Sequence, residues 1–127
     1  VLEVGLNLGV NLVITLGGYG KESVSDVRTV YLSSTSEDLI RQALDKIDAT
    51  PYEGQIIGAA GLLMTMAGER GVENLSLLVE AGNTTPDYYA AKRGVEALVK
   101  LLDLDLEVGD VYEFSKSYER IVRELEG

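Results

Sequence analysis

The stretch LVITLGGYGKE, residues 12–22, joins an apolar run to a group of glycines. The uninterrupted, β-branched run at 11–16 is typical of a strand that is buried on both faces. The sequence predicts that this strand ends there and that a loop follows, formed by Gly17, Gly18, Tyr19 and Gly20. In α/β proteins ligands bind beyond the carboxyl ends of the strands, so this loop is a candidate site.

Three roles for the glycine loop are open: a tight turn, a surface for a protein partner, or a set of backbone N–H groups that hold an anion. A phosphate-binding loop normally leads directly into a helix, whereas Lys21-Glu22-Ser23 leads towards a second strand. No Lys-Ser or Lys-Thr pair follows the glycines, which excludes a Walker loop. The turn is the favoured interpretation, and the partner surface and the ligand site remain alternatives.

The composition limits the chemistry. The chain has 127 residues, enough for one domain, and it contains no histidine, cysteine or tryptophan. This excludes a cysteine nucleophile, a Ser–His pair and a zinc site of the usual kind, and we expect neither a metal nor a cofactor. The net charge of −10 disfavours nucleic acid and anionic membranes as partners.

A membrane-spanning segment is not expected either. The longest uncharged apolar stretch, 56–68, would extend about 20 Å as a helix, less than the roughly 30 Å of a bilayer core. No signal-peptide pattern is visible in the sequence. We therefore expect a cytoplasmic protein.

Alternating strands and helices predict the fold. Two further strands are predicted at 27–33 and 75–81. Ser36 is expected to cap a helix between them, and Thr85 a helix over about 86–102. The apolar residues of the later helix are expected to face inward: Ala91, Val95, Leu98, Val99 and Leu102. This order predicts an α/β fold with three layers, α/β/α, and a largely parallel sheet.

The domain organisation follows from the two ends of the chain. Residues 1–109 are interpreted as the C-terminal part of a single α/β domain. The chain opens with VLEVGLNLG, which resembles the end of a helix and its glycine stop, and three strands make a thin sheet. We therefore expect further N-terminal strands that this sequence does not include.

A helix over 56–70 is predicted to be apolar on nearly every side. Gly58 and Gly61 lie in its first turns, where the lack of a side chain would let another backbone come close. A helix that is apolar all round must be covered all round. The cover would come from the sheet and its neighbouring helices, or from another subunit, and both readings are open.

The last helix, over 110–127, carries a narrow apolar stripe with heptad spacing: Val111, Phe114, Tyr118, Ile121 and Leu125. A stripe one side chain wide suits contact with a single partner helix. That partner would lie within the domain or in another subunit. We therefore expect a packing or oligomerisation helix and a homo-oligomer.

An enzymatic function would require polar side chains to meet in one pocket. The candidates are Tyr19, Glu80, Asn83 and Asp87, and Thr84 belongs to the same candidate surface. Glu80, at the end of a buried strand, is the strongest candidate carboxylate, although a hydrogen-bonded, half-exposed carboxylate is the simpler interpretation. No catalytic residue is assigned from the sequence.

Several motifs in order resemble the proteasome assembly chaperone family. They are ITLGGYG, then IIGAAGLLMTMAGERGVENLSLLVEAG, then PDYYAAKRGVEALVKLLDLDLEV. The similarity extends from about Asn11 to Val108, most of the chain. Members of this family have longer domains, which continue on the N-terminal side.

The resemblance implies a phosphorylase/hydrolase-like α/β fold and a non-enzymatic assembly factor that acts through protein contacts. Proteasome α subunits are then candidate partners. Members that dock on the proteasome α-ring carry a C-terminal hydrophobic–Tyr–any tail, whereas this chain ends in Leu125-Glu126-Gly127. Because the family fold is phosphorylase-like, the alternative function is a small-molecule enzyme or binding domain for nucleosides or phosphate.

Overall fold

The computed structural model describes residues 2–24, 27–54, 56, 58–82, 87–104, 120–121 and 123–126. Its helices are α1 (Leu2–Asn7), α2 (Glu37–Lys46), α3 (Ala59–Glu69) and α4 (Tyr88–Leu101), and residues 120, 121 and 123–126 are also helical. Its strands are β1 (Leu12–Gly20), β2 (Val30–Ser33), β3 (Thr50–Pro51) and β4 (Glu73–Ala81). After α1, Gly9 adopts a φ of 82°, the left-handed conformation of a glycine helix stop.

The strands form one mixed sheet in the order β1-β4-β2-β3. β1 runs parallel to β4 along its whole length, and β2 runs parallel to β3 but antiparallel to β4. Residues 21–29 join β1 to β2 without the long crossover that parallel strands need, so β2 returns in the opposite direction. The α/β class is confirmed. The sequence pattern did not indicate β3, because a two-residue strand that contains Pro51 has no periodicity.

The prediction of a glycine loop is wrong, because its four residues all lie in β1 and pair with β4: Gly17, Gly18, Tyr19 and Gly20. A Cβ on Gly18 would lie 3.8 Å from the Ala81 Cβ, an ordinary contact, so the glycines create no sharp turn. Pairing with a long, buried neighbour outweighs the low strand propensity of glycine. The paired region extends to Lys21, whose N–H donates to the Ala81 carbonyl at 2.9 Å.

The hydrophobic core lies on one face of the sheet, against α2 and α4. β4 and β2 contribute five side chains that are at most 4% exposed: Leu75, Leu77, Val79, Val30 and Leu32. The two helices and the residue that caps the end of α2 contribute small and aliphatic residues: Ala43, Ile47, Ala90 and Ala97. Because side chains alternate along a strand, Asn74, Ser76 and Glu80 point to the opposite face, where they are also buried.

Both core helices begin at a side-chain cap. The Ser36 hydroxyl accepts a hydrogen bond from the Leu39 N–H at 3.3 Å at the start of α2, where the sequence predicts this cap. At α4 the prediction of Thr85 is wrong, since Asp87 is the cap and its Oδ1 accepts from the Ala90 N–H at 3.1 Å. The second carboxylate oxygen of Asp87, Oδ2, accepts two further hydrogen bonds, which hold this side chain in place.

The inward face of α4 also differs from the prediction. Its buried residues are small: Ala90, Gly94 and Ala97. Three residues of the predicted face are exposed: Ala91, Val95 and Leu102. A Cβ on Gly94 would lie 3.1 Å from Val79 Cγ2 and 3.2 Å from Leu16 Cδ1, so α4 lies too close to the sheet for larger side chains.

Helix α3 contacts both β1 and β4. It begins after Gly58, whose φ of 92° is strained for residues with a side chain. Gly61 is buried, and a Cβ there would overlap the Ile56 carbonyl oxygen, so this glycine packs against the segment that precedes its own helix. Leu62 is 62% exposed, so the described part of the chain leaves one side of this apolar helix uncovered.

The predicted C-terminal stripe is only partly described. Ile121 is 50% exposed and Leu125 is 82% exposed, so neither side chain is covered by the described part of the chain. Val111, Phe114 and Tyr118 lie outside the described residues. The predicted contact of this stripe with a partner helix therefore stays a prediction.

Candidate functional site

The carboxyl ends of β1 and β4 and the first turns of α4 border a cavity of 380 Å³. Residues with no side chain or a single methyl group form most of its wall, among them Gly17, Gly18, Ala81, Gly82 and Gly94. Asp87 contributes a carboxylate to the same wall. In α/β proteins this end of the sheet, next to a helix N-terminus, is where small ligands bind.

The Asp87 carboxylate is fully engaged. Its Oδ1 caps α4, and its Oδ2 accepts from the Gly82 N–H at 2.8 Å and from Arg28 Nε at 3.1 Å. The Arg28 and Asp87 side chains are 13% and 8% exposed. Burial would raise the pKa of Asp87, but the Gly82 and Ala90 N–H groups and the Arg28 guanidinium outweigh burial and lower that pKa below its usual value.

This arrangement decides what the cavity can bind. A helix N-terminus attracts anions because its first N–H groups have no partner within the helix. Here Asp87 takes the Ala90 N–H and the neighbouring Gly82 N–H, so an anion of the chain itself occupies that position. The remaining lining is largely apolar, and it suits an apolar group better than a phosphate.

Apart from the cavity, a cluster of polar side chains lies on the other face of the sheet, the face that carries Glu80. We call Tyr19, Tyr31 and Tyr52 the tyrosine cluster, since their ring centroids are 5.9–6.1 Å apart and each pair meets edge to face. Lys21 lies beside it: its Nζ is 5.8 Å from the centroids of the Tyr19 and Tyr31 rings. Tyr19 itself is 37% exposed.

Lys21 connects the tyrosine cluster to Glu80. Its Nζ lies 3.3 Å from the Tyr31 hydroxyl and 3.2 Å from Glu80 Oε2. The hydrogen bond to Tyr31, followed by that to Glu80, raises the pKa of Lys21 above its usual value. Lys21 is therefore a firmly protonated cation, paired with a carboxylate whose side chain is 7% exposed.

The structure separates the candidate residues that the sequence grouped together. Tyr19 and Glu80 are partners in the β1–β4 register. Tyr19 belongs to the tyrosine cluster, and Glu80 lies beside it on the same face of the sheet. Asp87 lines the cavity with Gly17 and Gly18, on the side of the sheet that carries the core. Asn83 and Thr84 lie outside the described residues.

Four functional candidates were not indicated by the sequence: Lys21, Arg28, Tyr31 and Tyr52. Tyr31 could have been found from the sequence. Side chains alternate along the predicted strand at 27–33, so Tyr31 lies on the face of the sheet opposite to the one that carries Leu32, which is buried in the core. Arg28 and Tyr52 had no such signal. Both side chains meet their partners through long-range contacts. Arg28 and Asp87, for example, are 59 positions apart in the sequence.

The described residues offer little for metal or membrane binding. Within them, no group of three or more acidic, histidine or cysteine residues could hold a metal ion. None of the helices among them has the length and apolar character needed to cross a membrane.

Comparisons with known proteins agree with the fold. A curated protein of Methanocaldococcus jannaschii, the uncharacterized protein MJ1210, is 32% identical over 93 residues, which are 72% of this chain and 36% of that protein. Pyrococcus furiosus PbaB, described as an archaeal proteasome activator, matches with a TM-score of 0.80 and 31% identity over 99% of this chain and 55% of its own. PbaA of the same organism, described as an archaeal homolog of proteasome-assembly chaperone, matches with a TM-score of 0.82 and 26% identity over 98% and 57%.

The chain thus spans about half the length of these two solved proteins and about a third of the curated one. A model of the PAC2 family matches residues 1–126, nearly the whole sequence. The resemblance to proteasome assembly chaperones that the motifs indicated is confirmed. This chain belongs to the PAC2 family.

Proposed function

We propose that this chain functions as part of a non-enzymatic assembly factor, which acts through protein–protein contacts as an oligomer. The observation that carries the proposal is the closure of the anion position beside the cavity. Asp87 and Arg28 neutralise each other there, and the Asp87 carboxylate accepts from the backbone N–H groups that a phosphate would need. An anion position that is already occupied favours a role in binding other proteins over phosphate chemistry.

The partner proposal rests on the relatives. PbaA is described as a homolog of a proteasome-assembly chaperone and PbaB as a proteasome activator. We therefore propose proteasome α subunits as partners, met in the cytoplasm.

Two regions are proposed for contacts between subunits. One is α3, where Leu62 is exposed beside the closely packed Gly61, and where Gly58, which precedes the helix, is exposed as well. The other is the segment 110–127, taken as a unit separate from the domain at 1–109. Its apolar stripe includes Phe114, Tyr118 and Ile121, and the Ile121 side chain is half exposed. Exposed apolar side chains mark a protein interface where they form a contiguous patch, which is what the proposal requires of these two regions.

The complete domain is proposed to be larger than the part described. In this proposal α3 forms a third layer, opposite α2 and α4, in a phosphorylase-like α/β/α arrangement. Further N-terminal strands would pair with the outer edge of β1. Among the described residues β1 pairs only with β4, and its sequence LVITLGGYG has neither a charge nor a proline to protect a free edge.

Capture of proteasome α subunits by the full-length protein tests the proposed function. We expect the α subunits of the same organism to bind in a concentration-dependent way, and we expect the protein alone to run above its monomer mass in analytical ultracentrifugation. If purified α subunits fail to bind at micromolar concentrations, the proposed function is wrong.

The cavity keeps the alternative function open. Its 380 Å³ fall within the size of small-molecule sites, and it lies at the end of the sheet where phosphorylase-like enzymes would bind nucleosides. A thermal-shift series with nucleosides, and separately with inorganic phosphate, tests this alternative. A ligand present at a hundred times its dissociation constant should stabilise the fold by about 2.7 kcal/mol. The absence of a shift with every compound would reject this alternative.

A further inference from the structure

The tyrosine cluster and Glu80 come from residues in or directly after the four strands of the described sheet. Tyr19 lies in β1, Tyr31 in β2 and Glu80 in β4, while Tyr52 directly follows β3 and its N–H donates to the Leu32 carbonyl at 2.7 Å. Three aromatic rings and one carboxylate thus converge from distant parts of the chain. Such a surface combines ring faces of negative electrostatic potential with a fixed negative charge, which is the chemistry of a cation site.

A cation already occupies this site. Lys21 Nζ is 5.8 Å from two ring centroids and 3.2 Å from Glu80 Oε2, so it makes both kinds of contact that the site offers. The two sides of the pair are held differently. Glu80 lies in a buried strand. Lys21 follows the last residue of β1, and its side chain is 38% exposed. The lysine, with its strongly hydrated ammonium group, is the member that can swing into water.

An arginine would fill this site better than the lysine does. A guanidinium is planar, so it can stack on an aromatic ring while it pairs with a carboxylate through two N–H groups. It is also more weakly hydrated than an ammonium, and its transfer from water costs less. The net charge of −10 attracts basic surfaces and repels nucleic acid and anionic lipid, so the source of the cation is a protein.

We propose that the tyrosine cluster and Glu80 form a binding site for an arginine side chain of a basic protein partner, and that Lys21 fills this site in the unbound chain. The partner's guanidinium displaces the Lys21 ammonium, stacks on the exposed Tyr19 ring and pairs with Glu80. The carboxylate therefore stays neutralised throughout the exchange. This inference rests on the proposed function and deepens it, since it names the chemistry of the contact that the partner makes.

The competition between Lys21 and the partner's arginine can be measured with a peptide. The probe is a tetra-arginine peptide with acetylated and amidated ends, titrated calorimetrically at physiological salt. Removing the internal cation with Lys21→Met should tighten binding by about tenfold, within the range of a desolvated cation–π contact. Lys21→Arg should weaken binding below that of the unmodified chain, because the internal occupant then fits the site better.

Matched variants separate this site from the general attraction of an acidic protein. Lys46→Met makes the same change in charge at a lysine that pairs with Asp103, far along the chain from the cluster, and it should leave the affinity close to that of the parent. Tyr89→Ala removes a tyrosine that is 64% exposed but lies outside the cluster, and it should have no effect. Tyr19→Ala should weaken binding of tetra-arginine.

The outcome is decisive even if one variant is unstable. If Lys21→Met does not fold, as judged by circular dichroism, the weaker binding expected of Lys21→Arg and the unchanged binding expected of Lys46→Met still test the proposal. Equal affinities in the Lys21 and Lys46 variants would mean that the peptide follows net charge alone, and the proposal would be overturned. The titration contains no α subunit, so its failure is distinguishable from failure of the capture experiment.

Discussion

Two ion pairs lie near the carboxyl ends of β1 and β4, and they are held in different ways. In the pair of Arg28 and Asp87 both side chains are nearly buried, and the carboxylate also accepts two backbone N–H groups. In the pair of Lys21 and Glu80 the carboxylate is buried but the lysine side chain is 38% exposed. The partners of that lysine are side chains, Tyr31 and Glu80.

This difference indicates different roles. A carboxylate bonded to the backbone at a helix cap and to a buried arginine is part of the fold, because its loss would release the start of α4. A carboxylate paired with one exposed lysine can exchange that lysine for another cation without disturbing the backbone. We therefore assign the first pair to stability and the second to recognition.

The largest effect that would break this comparison is expected at Asp87. Asp87→Ala removes the cap of α4 and the acceptor for Gly82 and Arg28, and breaking a buried pair from one side typically costs about 3–5 kcal/mol. Urea unfolding followed by circular dichroism measures the loss. Asp87→Asn retains a capping side chain and should lose less. A loss below about 0.5 kcal/mol, the range of ordinary surface substitutions, would contradict the structural role.

A smaller effect is expected at Glu80. Glu80→Gln keeps the shape of the side chain and a hydrogen-bond acceptor but removes the charge that faces Lys21. We expect a loss of about 1.5–2 kcal/mol, at the lower end of the range for hydrogen bonds to charged groups, because the Lys21 side chain is partly exposed. The same urea titration allows a direct comparison. A loss as large as that of Asp87→Ala would show that the two pairs are equally structural, and the distinction between them would fail.

The smallest effect is expected from acid, and it sharpens the assignment of Asp87. The pKa of Asp87 is lowered from its ordinary value of 3.8, so its ionised form contributes stability above 3.8, and this contribution is lost as the pH falls through the folded-state pKa. The stability advantage of the parent over Asp87→Asn should therefore be constant near neutral pH and shrink below 3.8. Urea midpoints at several pH values measure it, and an advantage that grows on acidification would contradict the assignment.

The sequence supported the fold where a signal was local. Ser36 caps α2 because a hydroxyl before an amphipathic stretch acts within three residues. The run at 75–81 lies in the observed strand β4, since continuous apolar and β-branched residues suit a strand covered on both faces. The family resemblance added the order of the motifs, which no single motif could supply.

The errors arose where tertiary contacts override local preference. A loop was predicted from Gly17 to Gly20 because glycine has low strand propensity. Parallel pairing with β4 nevertheless holds these residues in β1. The face of α4 was misjudged because the larger apolar residues were expected inside, whereas close approach to Val79 and Leu16 admits only Gly94 and its small neighbours. In both cases the backbone of a neighbouring element decided.

The candidate site was less predictable than the fold. Tyr19, Glu80 and Asp87 were chosen because they lie at or after the ends of buried strands, but sequence distance does not show on which face each one lies. The separation into two clusters depends on the β1–β4 register and on Arg28 and Tyr52, which reach the clusters from other segments. These contacts are long-range, and a single sequence contains no signal for them.

The affinity of the full-length protein for purified proteasome α subunits tests the central claim most directly, when it is measured for the parent, Lys21→Arg and Lys46→Arg. We predict that the parent binds, that Lys21→Arg binds several-fold more weakly because its internal cation holds the site, and that Lys46→Arg binds like the parent. Equal affinity of all three forms would contradict the assignment of the second ion pair to recognition. No binding by any of them would contradict the assembly function itself.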